Sequence, residues 1–202
     1  MPLSLGETKG CCHVAYDGET GDSYRFPGGD TWSVTDDWST SLTGFKATLI
    51  TSDSKIVLAF AGTDSLIDVA VDIVQAIGGL PLQYSQALML AAAAKRVAGS
   101  RLHLAGHSLG GGLAAYCSVN LRIPTGTINP APLVGGASLR AVFGQNTQIT
   151  NYIAQGGEIV SSSHGRNPGT DVYVASRGGF WGFFTDHMIA NVAPSVPLPV
   201  KI

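Results

Sequence analysis

The chain has 202 residues, a formal net charge of −2 at pH 7, 45% hydrophobic residues and only 13% charged residues. This length is typical of one domain, and so apolar a composition excludes a chain that is mainly disordered. The 12 lysines and arginines are scattered along the chain, which excludes a basic face for nucleic acid. We therefore expect a single domain over residues 1–202, with an N-terminal wrap at 1–43 around a core at 44–192.

The sequence carries no membrane-spanning or targeting pattern. Asp68, Asp72 and Gln75 interrupt the most apolar stretch, at 66–82, so no run reaches the ~20 apolar residues of a spanning helix. The first residues, MPLSLGETKG, lack a basic region followed by an apolar core, so no signal peptide is visible. We expect a cytoplasmic protein or one exported by a non-classical route. Three cysteines, two of them adjacent, predict neither a disulfide framework nor a zinc site.

The chain begins with a polar part and continues with alternating strands and helices. Residues 1–40 are rich in Gly and Asp and predict loops with short helical or strand pieces. The strands predicted after this part are 45–51, 56–61, 101–105, 125–129, 149–154 and 172–175, and the predicted helices are 66–77, 85–98, 109–121 and 186–192. The first two strands form a predicted hairpin, and the continuous apolar run at 56–61 indicates burial on both faces. The alternation predicts an α/β sheet with helices on both faces.

The segment at 106–110, Gly-His-Ser-Leu-Gly, has the G-x-S-x-G pattern directly after a predicted strand and directly before a predicted helix. In this context a sharp, strained turn presents the serine oxygen at the carboxyl end of the sheet. Glycines two positions on either side leave room for neighbouring backbone and for substrate. The pattern predicts Ser108 as a nucleophile and the Leu109 N–H, at a helix N-terminus, as an oxyanion-hole donor.

Two segments resemble the class 3, fungal-type lipase family of the α/β-hydrolase fold. They are GHSLGG at 106–111, continued by GLAA, and IVLAFAGTDS at 56–65. The resemblance spans residues 44–192 and implies an α/β-hydrolase-like, mostly parallel sheet, a Ser-His-acid triad, hydrolysis of acyl esters and no cofactor. The sequence departs from the family at Ala61, where the family usually has Arg, and it lacks the Trp that usually follows the Thr.

The general base of the triad follows the nucleophile in the chain order of α/β-hydrolases. His164 and His187 are the two histidines after Ser108. His187, in FTDHMIANV near the chain end, matches the late histidine of the resembling family, whereas His164 lies in the polar string SSSHGRNPG. We therefore favour His187 as the base, and we expect packing or rim roles for His103 and His107.

The acid of the triad is one of three residues between Ser108 and His187, namely Glu158, Asp171 and Asp186. Glu158 follows a predicted strand in the string QGGEIVS, which is similar to a family loop that usually carries Asp. Asp171 opens a predicted strand, where it is also a common turn residue. Asp186 adjoins the favoured base, and chain neighbours rarely face each other well. We favour Glu158, and we keep Asp171 as the main alternative.

The resemblance also implies the second oxyanion-hole donor and a lid. The family's donor is the Thr or Ser after the Gly of its strand-loop segment, which corresponds here to Thr63; the alternative is that Thr63 caps the following turn. The predicted helix at 66–77 is apolar around most of its circumference and corresponds to a segment that often forms a lid; the alternative is a buried core helix. A lid of this kind would contact acyl chains or dock transiently on a lipid surface. Trp181, Phe183 and Phe184 either line the acyl pocket or are core and rim aromatics.

These residues predict a serine hydrolase that cleaves carboxylic acyl esters through an acyl-enzyme. The expected substrate is an acyl ester or lipid, cleaved by a lipase, phospholipase or esterase. The alternatives are a short-chain carboxylesterase and a non-catalytic binding protein with the same fold.

Overall fold

The described part of the chain forms a nine-stranded sheet with helices on both faces. The computed structural model describes residues 2–62, 81–133, 148–155, 167–177 and 188–202. The helices are α1 (Leu5–Asp17), α2 (Pro81–Ala98) and α3 (Leu109–Leu121). The strands are β1 (Ser23–Arg25), β2 (Thr31–Thr40), β3 (Phe45–Thr51), β4 (Ile56–Phe60), β5 (Leu102–His107), β6 (Thr125–Ile128), β7 (Ile149–Ala154), β8 (Thr170–Val174) and β9 (Val200–Lys201). None of the described helices is long and apolar enough to cross a membrane.

The sheet joins a parallel half to an antiparallel half. Its strand order is β8-β7-β6-β5-β4-β3-β2-β1-β9, and the strands from β4 to β8 run parallel to one another. The hairpin of β3 and β4 joins the two halves. In the parallel half, Phe60, Gly106, Thr127, Asn151 and Asp171 lie in one row across five strands. The predicted α/β-hydrolase-like fold is confirmed.

Strand β4 shows why the sheet needs helices on both faces. Val57 and Ala59 belong to one apolar cluster, with α1, while Leu58 and Phe60 belong to the other, with α2 and α3. All four side chains are fully buried. The prediction that this apolar run is buried on both faces is therefore correct.

The structure differs from the prediction at the N-terminus. Residues 1–40 were expected to be loops with short pieces, but α1 has 13 residues and packs on strands β3 to β6, and β2 has 10 residues. A capping box opens α1: Ser4 Oγ accepts from the Glu7 N–H, and the Glu7 carboxylate accepts from the Ser4 N–H. Its buried face includes polar residues, Thr8 and Lys9, so an apolar periodicity is weak here.

Two of the predicted helices also differ from the structure. Helix α2 begins at Pro81 rather than at residue 85, because a proline fits the first turn of a helix, where its missing N–H needs no acceptor. The predicted final helix at 186–192 is wrong over its described residues: Ile189–Asn191 forms one 3₁₀ turn, and Val192 then makes an antiparallel bridge to Ser176.

Candidate active site

Ser108 lies in the turn between β5 and α3, as the sequence predicts. Strand β5 ends at His107 and α3 begins at Leu109, so a single residue reverses the chain direction. Its backbone has φ 56° and ψ −125°, a combination that is costly for a residue with a side chain. The Ser108 carbonyl accepts from the N–H groups of Gly112 and Ala131, and its own N–H donates to the Ile128 carbonyl. These bonds hold the strained turn in place.

The glycines of the motif are required by close backbone contact. A side chain at Gly106 would collide with the carbonyl of Gly110, and one at Gly110 would collide with the carbonyl of Phe60. Helix α3 therefore packs directly against the ends of β5 and β4. The motif fixes Ser108 at the carboxyl end of the parallel strands, which is where the ligand sites of α/β sheets form.

The Ser108 hydroxyl is buried and unpaired among the described residues. The residue is 2% exposed, and its Oγ contacts no hydrogen-bond partner in the part of the chain that the structure describes. A buried hydroxyl without a partner is costly in a folded protein and needs an explanation, of which a catalytic role is one. The neighbouring Leu109 N–H is the first of the α3 N–H groups that have no acceptor within the helix. The candidate nucleophile and the candidate oxyanion donor are therefore adjacent in the turn.

The loop after β4 approaches Ser108 from the other side. A Cβ at Gly62 would lie 3.0 Å from the Ser108 Cβ, 3.0 Å from the His107 carbonyl oxygen and 2.6 Å from the Tyr16 hydroxyl oxygen. The Gly62 N–H donates to the Tyr16 hydroxyl at 3.0 Å, and this hydroxyl is 2.7 Å from His107 Nδ1. Helix α1, the loop after β4 and the serine turn thus meet at one point.

Asp171, the alternative acid, lies away from Ser108. It is exposed on β8, which is three strands from β5, a separation of about 14 Å at the usual strand spacing. One of its carboxylate oxygens accepts from Asn151 Nδ2 at 2.9 Å, and Thr127 Oγ1 donates to the Asn151 side-chain oxygen at 2.7 Å. Asp171 therefore belongs to a polar chain that links β6, β7 and β8.

The remaining predicted site residues lie outside the described residues. They are Thr63, the helix at 66–77, Glu158, His164, Trp181, Phe183, Phe184, Asp186 and His187. The two histidines assigned to packing roles are described. Both are buried, and His103 Nδ1 lies 3.0 Å from the Arg101 carbonyl oxygen.

An open cleft of about 720 Å³ begins at Gly62, beside the serine turn. It extends between the end of α1, the turn from β2 to β3 and the start of α2. Its wall includes three acidic residues and one lysine: Asp17, Glu19, Asp37 and Lys46. Hydrogen bonds from the Thr20 N–H and hydroxyl lower the pKa of Asp37, so this carboxylate stays charged at neutral pH. The cleft therefore opens to solvent beside the loop that approaches Ser108.

Residues 30–180 match the phospholipase-like family described as the Tle-like phospholipase domain. The chain belongs to this family. This Tle-like phospholipase domain is also 45% identical, over 85 residues, to the extracellular phospholipase A1 of Serratia liquefaciens. That match covers 42% of the chain and 25% of the Serratia protein.

Solved structures of fungal lipases share the fold of this domain. The triacylglycerol lipase of Penicillium expansum superposes with a TM-score of 0.59 and 16% identity, over 84% of this chain and 77% of that chain. The Rhizomucor miehei lipase propeptide complex has a TM-score of 0.57 and 16% identity, over 83% and 64% of the two chains. Lipase II of Rhizopus niveus has a TM-score of 0.57 and 14% identity, over 85% and 77%. The predicted membership of an α/β-hydrolase lipase family is confirmed.

Tyr16 is the residue at this site that the sequence reasoning missed. The available signal was the spacing of Ser4 and Glu7, which is typical of a capping box and would have placed a helix after Ser4. That helix carries Tyr16 to the serine turn.

Proposed function

We propose that this domain is a serine phospholipase that hydrolyses an acyl ester of a phospholipid. Ser108 is the nucleophile, His187 the general base and Glu158 the acid, while the N–H groups of Thr63 and Leu109 bind the oxyanion. The observation that carries the proposal is the strained backbone of Ser108, whose buried hydroxyl has no partner among the described residues and lies beside the N-terminus of α3.

The strand order supports Glu158 and His187 as the partners of Ser108. Strand β7 lies two strands from β5 and ends at Ala154, close to Glu158 in the chain. The antiparallel bridge between Ser176 and Val192 ties the segment that follows His187 to the residues after β8. Ile189 and Val192 pack in the same cluster as Ala61 and Ala154, at the carboxyl ends of β4 and β7. The described residues near the two proposed partners in the chain, Ala154 and Ile189, therefore belong to one apolar cluster, on the α1 face of the sheet.

The proposed reaction proceeds through an acyl-enzyme. His187 accepts the hydroxyl proton as Ser108 Oγ attacks the ester carbonyl carbon, and Glu158 stabilises the imidazolium that forms. The two N–H donors bind the negative oxygen of the tetrahedral intermediate. The imidazolium then protonates the leaving lysophospholipid oxygen, and Ser108 retains the acyl group. Water, deprotonated by His187, releases the fatty acid and restores the hydroxyl.

The choice of substrate rests on the relatives. The family is described as a phospholipase domain, and the Serratia relative is a phospholipase A1, an enzyme type that cleaves the sn-1 ester. We infer the same regiochemistry here.

The Serratia protein is described as extracellular, which supports export over the cytoplasmic alternative. Detection of the protein in culture medium, with a cytosolic marker as control, tests this inference.

A phospholipid with different acyl chains at sn-1 and sn-2 tests the proposed function directly. Mass spectrometry of the products should show the sn-1 fatty acid and the complementary lysolipid with wild-type protein. Ser108→Ala should lower the rate by at least about 10⁴-fold, because the covalent step is lost. Ser118→Ala is the matched control, because it removes a hydroxyl from α3 that donates to the Ile123 carbonyl. This variant should keep the wild-type activity.

The same assay separates the acids and the alternatives. Glu158→Ala and His187→Ala should each lower the rate by about 10³-fold or more, whereas Asp171→Ala should leave it nearly unchanged. The proposed acid is wrong if Asp171→Ala is inactive and Glu158→Ala is active.

Turnover of p-nitrophenyl butyrate without any phospholipid cleavage would favour the short-chain esterase. A protein that neither cleaves an ester nor reacts with a fluorophosphonate at Ser108 would be a binding protein.

A further inference from the structure

We propose that Tyr16 is a positioning residue that holds the loop carrying the oxyanion donor against the nucleophile turn. The inference rests on the proposed function, since it assigns Tyr16 a role in catalysis by Ser108. Its basis is a pair of hydrogen bonds through which the Tyr16 hydroxyl joins the loop after β4 to the residue before Ser108.

The contacts of Tyr16 join three separate parts of the chain. Tyr16 lies in the last turn of α1, and its hydroxyl oxygen accepts the Gly62 N–H at 3.0 Å. The same hydroxyl lies 2.7 Å from His107 Nδ1, and the two rings are tilted by 57° with their centroids 5.9 Å apart. His107 is 4% exposed, so this contact is largely shielded from water. Hydrogen bonds in such a site are stronger than in water.

The Tyr16 hydroxyl bonds to both neighbours at once. The Gly62 N–H can only donate, so the Tyr16 oxygen accepts there. In the second bond, the tautomer of His107 decides whether Tyr16 or His107 Nδ1 donates. Either direction joins Gly62 to the residue before Ser108 through the Tyr16 hydroxyl.

Both ends of this hydrogen-bond chain adjoin residues of the proposed catalytic machinery. Gly62 precedes Thr63, the proposed oxyanion donor, and His107 precedes Ser108. The Gly62 N–H is bonded to Tyr16, and the proposed oxyanion donor is the N–H of the next residue in the chain. Tyr16 thus fixes the position of Gly62 relative to the turn at Ser108. A displacement of about 1 Å at such a site can cost about 10²-fold in rate.

The substitution Tyr16→Phe tests the inference because it removes the hydroxyl and keeps the ring. On p-nitrophenyl butyrate we expect kcat to fall by about 10- to 100-fold. This loss should not exceed the loss of about 10²–10³-fold that follows deletion of a whole oxyanion donor, because the donor is displaced rather than removed. KM should change by less than about twofold, because binding of the ground state does not use the oxyanion site. The affinity for a trifluoromethyl ketone, which forms an oxyanion on the serine, should fall by the same factor as kcat.

Tyr24→Phe is the matched control. Tyr24 is buried on β1, at the far side of the sheet, and its hydroxyl donates to Asp22. It should keep the wild-type kcat and ketone affinity. A similar loss in both variants, or wild-type kcat in Tyr16→Phe, would overturn the inference, because either result means that the hydroxyl has no positioning role.

Hydrogen exchange of the Gly62 amide gives a readout that does not depend on turnover. In Tyr16→Phe this amide loses its acceptor and should exchange faster, whereas in Tyr24→Phe it should stay as in the wild type. Unchanged exchange in Tyr16→Phe would refute the bond on which the inference stands. The proposed function itself is tested separately, by reaction of wild-type Ser108 with a fluorophosphonate. If Ser108 does not react, the proposed function fails, and Tyr16 then has no catalytic role either.

Discussion

Gly62 brings the loop after β4 into close contact with the turn at Ser108. Any side chain there would meet the Ser108 Cβ, the His107 carbonyl oxygen and the Tyr16 hydroxyl at or within 3.0 Å. Two of these three neighbours are backbone or Cβ atoms, which cannot rotate away. The absence of a side chain at this position therefore sets the distance between the loop and the serine turn.

We predict that Gly62→Ala lowers kcat/KM by about 10²-fold or more. The added methyl group must push Gly62 away from Ser108, and the next residue in the chain, Thr63, is the proposed oxyanion donor. Steady-state kinetics on p-nitrophenyl butyrate measure this effect, with circular dichroism to establish that the variant is folded. Gly28→Ala is the control, since its added Cβ would meet only an Asp30 carboxylate oxygen, at 3.9 Å. Equal activity of the two variants would mean that the loop is not held close to the nucleophile.

The geometry of the serine turn could be predicted at residue scale, whereas its support could not. The G-x-S-x-G pattern encodes a local backbone geometry, so a strained turn at Ser108 and a helix beginning at Leu109 follow from five consecutive letters. Tyr16 and Gly62 meet through a hydrogen bond between residues 46 positions apart. No local pattern reports such a contact. The catalytic roles of Ser108, Leu109, Thr63, Glu158 and His187 stay predictions, carried by the motif, the family resemblance and chain order.

At the scale of elements, the predictable segments are those whose burial is apolar and regular. Strands 45–51 and 149–154 and the helix 109–121 have the predicted bounds, because β-branched runs favour strands and the glycine-rich turn marks where an apolar helix opens. The apolar pattern does not predict helix α1 because its buried face includes Thr8, Lys9 and Gly10, which interrupt an apolar stripe. Lys9 is buried because its ammonium donates to the Ala193 and Val196 carbonyls, and a single sequence does not reveal contacts at such a distance along the chain.

The start of α1 is stabilised by Glu7. Its carboxylate caps the Ser4 N–H and forms an ion pair with Lys55, at 2.7 Å, just before β4. Burial raises the pKa of Glu7, but the hydrogen bonds from Lys55 and Ser4 outweigh this effect and lower the pKa below its usual value near 4.5. The folded state therefore favours the charged form.

We predict that Glu7→Gln loses about 1 kcal/mol of stability at pH 7 and much less in acid. Because the folded pKa is lowered, the unfolded chain binds more protons in acid. The contribution of Glu7 is thus complete above pH 4.5 and is lost as the pH falls through the folded pKa. Urea unfolding of wild type and variant at several pH values between about 7 and 3 measures the difference. Glu19→Gln, in the exposed turn after α1, is the control, and a difference that does not shrink in acid would contradict the assignment.

At the scale of the whole molecule, α1 connects the C-terminal segment of the chain to the site. Lys9 is 1% exposed, and its Nζ donates to the Ala193 carbonyl at 3.1 Å and to the Val196 carbonyl at 2.8 Å. The same helix carries Tyr16 at its other end. Helix α1 therefore contacts both the segment after the 3₁₀ turn and the loop beside Ser108. The first of these segments is close in the chain to His187. Stability of the C-terminal segment and geometry of the site depend on the same element.

Lys9 gives this connection a dependence on pH. Burial lowers the pKa of Lys9 from its usual value near 10.5, and repulsion by Arg177 lowers it further. The neutral amine still has two N–H donors, which is enough for both carbonyls. Since the folded pKa is below the unfolded one, the unfolded chain holds this proton to higher pH. Stability from Lys9 therefore rises with pH through the folded pKa and levels off above 10.5.

We predict that Lys9→Met destabilises the fold by about 1–3 kcal/mol at neutral pH, because the buried Ala193 carbonyl and the partly buried Val196 carbonyl lose their donor. The deficit relative to wild type should grow as the pH rises from about 7 to 10, since only the wild type gains from releasing the proton of a buried ammonium. Urea unfolding at each pH measures the deficit, and subtracting the two proteins cancels the other groups that titrate in base. Lys46→Met, on β3 beside the open cleft, should show no comparable rise. A Lys9→Met deficit that stays constant or shrinks in base would mean that burial does not destabilise the charged form of Lys9.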